Sequence, residues 1–331
     1  MIELFSGIKV DWIGKRQLFF AISIVLLVIG MISLIHKGKF QYGVDFRGGT
    51  TIKVHFNDPV PDVNKVRQAL EKAGASHSQI QELRDPAGNF QGNFQIEYGG
   101  ENVSDAATTQ GRKVVTAALG TEFPAAQDGT EKFKVLSSES VGPSVGSELR
   151  SKAVQATLLS LGGILIYIAF RFEWIYGAAA VFAVFHDTLV TLGIFSLFNK
   201  EINLTVIAAL LTLVGYSVND TIVVFDRVRE NLKIRRRDDL ESILNDSINQ
   251  TLSRTILTSG LTFLTVLALF LFGGEIINNF AFAMVIGIVV GTYSSIAVAS
   301  PLVLIYTRLR GKGAPAAPAV VAKLPRTAKA R

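Results

Sequence analysis

The chain has no cysteine and only four histidines in 331 residues. Without cysteine it cannot form a disulfide bond, an iron–sulfur cluster or a thiolate metal site, and the composition gives no indication of the redox compartment. The histidines, His36, His55, His77 and His186, are too scattered in the sequence for a metal-binding motif. We therefore expect neither a metal ion nor another cofactor.

Charged residues are also scarce. They make up 18% of the chain, whereas hydrophobic residues make up 49% and the mean hydropathy is +0.37. An ordinary soluble domain carries about 25% charged residues. This composition predicts an α-helical polytopic membrane protein rather than a water-soluble globule.

Six apolar runs are long enough to cross a bilayer as helices, which takes about 20 residues each. They are predicted at residues 17–35, 151–170, 174–197, 203–226, 254–273 and 278–307. The first run could also be the hydrophobic region of a signal peptide. Its apolar core of 18 residues is longer than the usual roughly 7–15, however, and no small-residue cleavage site follows it, so we expect a transmembrane helix.

Basic residues predict the orientation of the spans. They lie in the N-terminal segment 1–16, at Arg171, in the cluster at 227–237 and in the tail at 308–331, which has seven Lys or Arg and no acidic residue. Cytoplasmic loops are enriched in Lys and Arg, so both termini are expected in the cytoplasm. The uneven charge thus indicates orientation and not a nucleic-acid partner. The tail, rich in Ala, Pro and Lys, is expected to be disordered.

Residues 36–150, between the first two spans, are polar and should form a small α+β domain outside the cytoplasm. Apolar residues there recur alternately with a period of two, as in strands, and of 3.6, as in helices. The resulting order β-α-β-β-α-β is typical of a ferredoxin-like domain. Strands are predicted at 51–56, 78–83, 93–98 and 132–138, and helices at 61–73 and 104–119.

A run rich in glycine and proline, SVGPSVGSELR at residues 140–150, connects this domain to the second span. Such residues mark turns and flexible connections. We expect this run to be a hinge, with Gly142, Pro143 and Gly146 as its pivots.

A second amphipathic pattern lies in the predicted cytoplasmic segment 227–253. Five apolar residues recur there every three or four positions among polar ones, namely Leu240, Ile243, Leu244, Ile248 and Leu252. This spacing predicts an amphipathic helix on the membrane surface.

Small residues recur in the sixth span, where Gly287 and Gly291 are four positions apart. Such spacing lets two helices approach closely. The sequence alone permits two interpretations, packing within the chain or a face between two subunits.

The fourth span contains two adjacent polar residues, Asn219 and Asp220, within an apolar run. They share one helical stripe with Thr205, Thr212 and Tyr216. An ionised aspartate inside a span costs roughly 3 kcal/mol, so the stripe should face protein or water, with the carboxyl paired or protonated. We expect Asp220 to be functional.

Two further spans contain ionisable residues. His186 and Asp187 lie in the middle of the third span and serve either in a proton path or in a structural hydrogen bond. In the fifth span, a polar stripe is expected to face Asp220 and consists of Arg254, Thr258, Thr262 and Thr265. Arginine beside Asp220 would hold its carboxylate ionised until the two are separated.

Three segments together resemble one protein family. They are YGVDFRGGT (42–50), SVGPSVGSEL (140–149) and GYSVNDTIVVFDRVREN (215–231). With one span, an outer domain and then five spans, the chain resembles the SecF subunits of bacterial SecDF protein-export complexes, which are similar in plan to resistance-nodulation-division transporters. The residues that match the first two motifs are Gly43, Asp45, Phe46, Gly48, Gly49, Gly142, Pro143 and Gly146.

The resemblance implies a non-enzymatic subunit that uses the proton motive force to promote late steps of export across the inner membrane. It implies SecD, the SecYEG channel, the translocating unfolded polypeptide, protons and the lipid bilayer as partners, with YajC and YidC as further candidates. The intramembrane acid and base of the family match Asp220 and Arg254. Asn219, His186 and Asp187 are further candidates for a proton relay.

Other functions remain to be weighed. Asp187 and Asp220 could form the pair of an intramembrane aspartyl protease, but the Gly-x-Gly-Asp motif of those enzymes is absent and Arg254 would oppose a shared proton. FRGGT lacks the Lys-Ser/Thr of a phosphate-binding loop. A small-molecule or lipid exporter half of the resistance-nodulation-division type and a passive assembly scaffold are the remaining alternatives.

Overall fold

The computed structural model describes residues 9–38, 40–75, 78–84, 90–99, 105–125, 131–171 and 174–310. Within them, six helical segments are long and apolar enough to cross a membrane, as the sequence predicts. The first five are single helices and the sixth is composite. They are α1 (Arg16–Lys37), α5 (Pro143–Arg171), α6 (Trp174–Leu197), α7 (Leu204–Ile234), α8 (Leu240–Phe272), and α9 (Glu275–Ser294) continued by a π-helical turn (Ser295–Ala299) and α10 (Ser300–Leu309). The expected disorder of the tail concerns residues that lie almost wholly outside the described ranges.

Between α1 and α5 lies the predicted α+β domain. After a short helix, α2 (Val44–Arg47), its elements are β1 (Gly49–Phe56), α3 (Val63–Lys72), β2 (Gln79–Arg84), β3 (Phe90–Tyr98), α4 (Asp105–Glu122) and β4 (Phe133–Val141). The antiparallel sheet has the strand order β2-β3-β1-β4. This order confirms the ferredoxin-like prediction.

The domain has a core of its own on one face of the sheet. Alternate residues of β1, including Ile52, Val54 and Phe56, are fully or almost fully buried against α3 and α4. The helix α3 starts where the Asp62 side chain accepts a hydrogen bond from the Asn64 amide, which satisfies one of the free N–H groups of its first turn. The opposite face of the sheet is polar and turns toward the membrane helices.

The membrane helices pack around α7, which contacts α6, α8 and α9. At the edge, α1 lies against α6 where Gly30 and Gly193 meet. A Cβ atom on Gly30 would be 2.7 Å from the Gly193 Cα, so the two backbones touch. Few residues in the apolar stretches of α1, α5 and α8 are buried, which leaves broad apolar surfaces for lipid or a protein partner.

The segment 227–253 differs from the prediction. Helix α7 continues to Ile234, α8 begins at Leu240, and only residues 235–239 connect them. The apolar face formed by Ile243, Leu244 and Ile248 is buried in the same core as Val228 of α7. The expected surface helix is therefore continuous with the helix of the fifth span, and both helices extend beyond the predicted span boundaries at 226 and 254.

Packing of the sixth span answers the question about its glycines. A Cβ on Gly287 would lie 2.5 Å from the Leu213 side chain, and one on Gly291 would lie 3.2 Å from the Ser217 Cβ. Both glycines thus let α9 approach α7 within one chain. The structure favours the intramolecular interpretation.

The expected hinge is not an open linker. Strand β4 ends at Val141 and α5 begins at Pro143, so Gly142 alone connects them. Proline suits the first turn of a helix, where its missing N–H has no partner to lose. The helix of the second span consequently begins about two turns before the predicted residue 151.

The same run packs against the glycine pair that follows α2. Gly48 has φ +76°, and a Cβ there would lie 2.6 Å from the Pro143 Cα. A Cβ on Gly146 would lie 3.0 Å from the Gly48 nitrogen. The two glycine-containing motifs are thus one backbone-to-backbone contact that fixes the start of α5 against the domain.

We expect Gly48→Ala to destabilise the protein more than Gly74→Ala. Both glycines have similar positive φ angles, +76° and +78°, but nothing lies within 4 Å of a Cβ on Gly74. Each alanine should cost about 1–2 kcal/mol for the left-handed backbone, and Gly48→Ala about 2 kcal/mol more for the clash with Pro143. Thermal unfolding of the purified variants measures the difference. Equal melting temperatures would contradict the packing described.

Candidate functional site

A buried polar cluster joins three spans around Asp187, which has no exposed surface. The Ser217 hydroxyl on α7 and the Ser294 hydroxyl on α9 donate to Asp187 Oδ2 at 2.6 and 2.7 Å. Ser294 is also the residue before the π-helical turn. A carboxyl on α6 therefore holds α7 and α9 together at the level where the last span changes its helical geometry.

His186 contributes to the same cluster. Its Nδ1 lies 2.9 Å from Asp187 Oδ1, and the ring is almost wholly buried. The other ring nitrogen, Nε2, is buried without a hydrogen-bond partner among the described residues. The predicted pairing of His186 with Asp187 is thus present, and one nitrogen remains available.

A second buried carboxyl belongs to Asp220, in the middle of α7 and 2% exposed. The Ser259 hydroxyl on α8 donates to its Oδ2 at 2.8 Å. This neutral donor is the hydrogen-bond partner found for the carboxyl in the described structure. Because a buried carboxylate costs several kcal/mol unless it is paired, a single serine leaves the site sensitive to whether a proton is bound.

Arg254 does not form the expected ion pair with Asp220 in the described part of the chain. Its side chain is exposed, although its charge lies close enough to act on the carboxyl. The expected stripe is also wrong in phase. The hydroxyls of Thr258, Thr262 and Thr265 donate to carbonyls of their own helix, whereas Ser259 is the α8 residue whose hydroxyl reaches α7.

The polar stripe predicted on α7 is divided between two faces. Asp220 is buried, but its neighbour Asn219 is exposed, as are Gly215 and Thr212 one and two turns earlier. The Asn219 amide cannot face lipid at low cost, whereas the Thr212 hydroxyl already donates to the Ala208 carbonyl of its own helix. This face of α7 is therefore suited to contact with another protein.

At the other end of α7, its first residue meets the motif that precedes β1. Asp45 Oδ2 accepts a hydrogen bond from the Leu204 amide at 2.9 Å, beside the Asn203 side chain that accepts from Val206. Gly43 N–H donates to Ile202, and Ile202 N–H donates to Gln41, as in a short parallel strand pair. The α+β domain and the Asp220 helix are thereby connected through backbone hydrogen bonds.

With this geometry described, comparison with known proteins shows the class. The model of the family "Protein export membrane protein SecD/SecF, C-terminal" matches residues 123–309, and the "SecD/SecF GG Motif" matches residues 32–60. The second match contains Asp45 and the glycine pair that contacts Pro143. The fold and motifs are those of a membrane protein of protein export.

Individual relatives narrow the class further. A protein translocase subunit SecF from Calditerrivibrio nitroreducens is 48% identical over 304 residues, which cover 91% of this chain and 95% of that protein. The SecF of Koribacter versatilis is 40% identical, with 94% and 95% covered. The chain belongs to the SecF family of protein translocase subunits.

Solved structures agree with this family. A crystal structure of SecDF from Thermus thermophilus, described as a translocon-associated membrane protein, has a TM-score of 0.78 at 38% identity and covers 91% of this chain. A SecDF structure in a super-membrane-facing form has a TM-score of 0.66, also at 38% identity. The present chain spans 39% and 40% of those longer chains.

Membership settles several predictions. The chain is a multi-pass inner-membrane protein with a part in protein export, and it is a translocase subunit rather than an enzyme. The alternatives of an aspartyl protease and of a small-molecule or lipid exporter half are thereby set aside. In the described residues, no group of three or more His, Asp or Glu is arranged to hold a metal ion.

Sequence reasoning missed the hydroxyl partners Ser217, Ser259 and Ser294. A serine within an apolar span is common and inexpensive, so nothing in its type distinguished these three from the others. The available signal was spacing, since Ser217 lies three residues before Asp220 and Ser294 three after Gly291. The partners could be identified only once the helix pairs were known.

We expect removal of the hydroxyl donors to Asp187 to loosen the packing of α6, α7 and α9. Ser217→Ala and Ser294→Ala should each cost about 1–3 kcal/mol, because each removes a buried hydrogen bond, and the double variant should lose more than the sum. Thr258→Ala is the control, since its hydroxyl bonds only carbonyls of its own helix. Thermal unfolding measures all four proteins. Single variants as stable as the control would refute a stabilising role for the cluster.

Proposed function

We propose that this subunit uses the proton motive force to promote protein export, with Asp220 as its proton-binding group. The observation that carries the proposal is the nearly complete burial of Asp220 with Ser259 as its hydrogen-bond partner. Binding a proton there changes the charge of a site shielded from water, so it changes which helix arrangement is favoured. Arg254, nearby but not in contact, is the group that would approach when the carboxyl is ionised.

The available energy is adequate for such a switch. One charge that crosses a potential of 100 mV supplies about 2.3 kcal/mol, which shifts an equilibrium roughly 50-fold. A single site can therefore move a balanced two-state element, but it cannot drive one that is strongly biased.

Helix α7 is the route by which Asp220 could act on the outer domain. Leu204, which donates to Asp45, is 16 residues from Asp220, or about 24 Å along a helix. The α+β domain therefore rests on the end of the same rigid element that carries the proton site. Gly142, the single residue between β4 and α5, is the point about which the domain would turn.

We assign His186 and Asp187 to positioning. Both oxygens of Asp187 are occupied by contacts within the chain, which suits a fixed support better than a group that exchanges protons. Asn219, exposed on α7 beside Asp220, is instead placed where a partner subunit could complete a proton path.

The proposed partner is SecD, with SecYEG as the channel that receives the translocating unfolded polypeptide and YajC and YidC as accessory candidates. Support comes from the length of the SecDF chains, of which this chain matches a part, and from the exposed polar face of α7. Basic groups at one end of the bundle, Arg16 and Arg308, both bind Glu241, and the α+β domain lies at the other end. By the positive-inside rule, both termini are then cytoplasmic.

We expect Asp220→Asn to abolish the stimulation of export by the proton motive force. The amide keeps the volume and can keep a hydrogen bond to Ser259, but it cannot bind and release a proton. Asp226→Asn is the matched control, since Asp226 lies on the same helix and is exposed. Translocation of a preprotein into vesicles that contain the chain with SecD, with and without an uncoupler, measures the effect.

Full stimulation in the Asp220→Asn vesicles would refute the proton role. Loss of export together with loss of SecD from the complex would point instead to a passive scaffold, because assembly and not proton binding would then be what Asp220 supports. If Asp220 binds the proton, the Asp220→Asn chain should still assemble with SecD, and the export that remains should be insensitive to the uncoupler.

A further prediction concerns the exposed polar face of α7. Expressed without SecD, the chain should be degraded, because the Asn219 amide would face lipid. Asn219→Leu should lengthen its half-life when expressed alone and should reduce the recovery of SecD with it. Ile234→Leu, at the exposed end of the same helix, serves as the control. Pulse-chase labelling and affinity purification measure both quantities. A stable, monodisperse wild-type subunit alone would contradict the prediction.

A further inference from the structure

A polar cleft of about 900 Å³ separates the α+β domain from the membrane helices. One wall is the face of the sheet not covered by α3 and α4, and the other is formed by the loop between α6 and α7 (residues 198–203) with the ends of α8 and α9. The loop pairs with residues 41–43 through the backbone hydrogen bonds of Ile202. The cleft therefore lies at the contact that docks the domain on the bundle.

Two carboxyls from opposite sides of this cleft meet. Glu201 comes from the α6–α7 loop, and Glu97, which is 6% exposed, comes from β3. The two carboxyls lie close enough for their charges to act on each other. Because Glu97 is already paired with Arg47, repulsion between the carboxyls favours a proton on Glu201.

The surrounding charges do not replace that proton. Arg47 donates to Glu97 Oε2 at 2.6 Å, and Gln95 donates to Glu97 Oε1 at 3.2 Å. Asp45 adds a third carboxylate, so one guanidinium faces three acids. Lys200, beside Glu201, is directed to Asn278 and the Phe282 ring.

Other charged groups line the cleft from the domain. They are Lys53 on β1, Arg67 on α3, Glu82 on β2 and Glu139 on β4. They include as many bases as acids, so they leave the excess of acid around Glu201 unchanged.

This surrounding strongly changes the pH at which Glu201 loses its proton. Burial, followed by the nearby Glu97 carboxyl, raises the pKa of Glu201 to about 8, with Asp45 adding to the rise and Arg47 opposing it. A carboxyl whose pKa is raised by docking stabilises the docked state at low pH. That contribution is fully present below its ordinary pKa of 4.5 and is lost as the pH rises toward about 8.

We propose that a proton on Glu201, beside Glu97, holds the α+β domain docked on the α6–α7 loop, and that loss of this proton releases the domain. An ionised Glu201 would place a second carboxylate near Glu97 across the cleft, and the backbone pairing of Gly43 with Ile202 would open beside it. The pair lies on the side of the membrane where the proposed orientation places the higher proton concentration. It is distinct from Asp220, which lies within the bundle, and can be tested independently of it.

The absence of cysteine makes a distance measurement direct. Gln81→Cys and Leu271→Cys place spin labels on opposite walls of the cleft, both at exposed positions. The full chain in complex with cysteine-free SecD, in nanodiscs, is examined by pulsed electron resonance from pH 6 to 9. The ratio of molecules with the short label distance to molecules with the long one should fall about tenfold or more over this range.

Variants separate the pair from other groups. Glu201→Gln, which cannot ionise, should keep the short distance at every pH, whereas Glu139→Gln, on the same cleft, should titrate like the wild type. Asp220→Asn should also titrate normally, so failure of this proposal and failure of the proton role of Asp220 give different results. A wild-type label distance that does not change between pH 6 and 9 would overturn the proposal by itself. A Glu201→Gln variant that responds to pH like the wild type would overturn it as well.

Discussion

The structure depends on the cost of placing carboxyl groups inside a bundle of apolar helices. Asp187 and Asp220 each satisfy that cost by serine hydroxyls from neighbouring spans, so these two residues determine which helices must lie beside α6 and α7. The two carboxyls differ in how many hydrogen-bond partners they have. Asp187 has partners on both oxygens and joins three spans, whereas Asp220 has one serine from one span. The first arrangement is suited to support and the second to change.

Helix α7 connects the two levels of the molecule. Its middle carries Asp220, its first residue is held by Asp45 of the outer segment, and its exposed face presents Asn219. The glycines of the neighbouring motifs serve this connection by close backbone contact, since a side chain at Gly48 or Gly146 would meet the opposite backbone. A domain held this way can respond to a helix that moves, because few soft residues lie between them.

Much of this fold followed from the sequence because apolar length and periodicity are local signals. The six spans and the β-α-β-β-α-β order were predicted correctly from them. Differences arose where tertiary contacts decide the outcome: α5 was expected to begin near residue 151 and begins at Pro143, the helix at 240–252 was expected on the membrane surface, and Arg254 was expected against Asp220. In each case the partner that changes the outcome, Gly48, Val228 or Ser259, lies on another element.

The central claim is that Asp220 binds and releases a proton inside the bundle. Difference infrared spectroscopy of the reconstituted SecD complex, with isotope-labelled aspartate, measures this directly as the carbonyl band of a protonated carboxyl. The account predicts a band that appears on acidification, is absent from Asp220→Asn and persists in Asp226→Asn. A spectrum in which Asp220→Asn removes no band at any pH would contradict it.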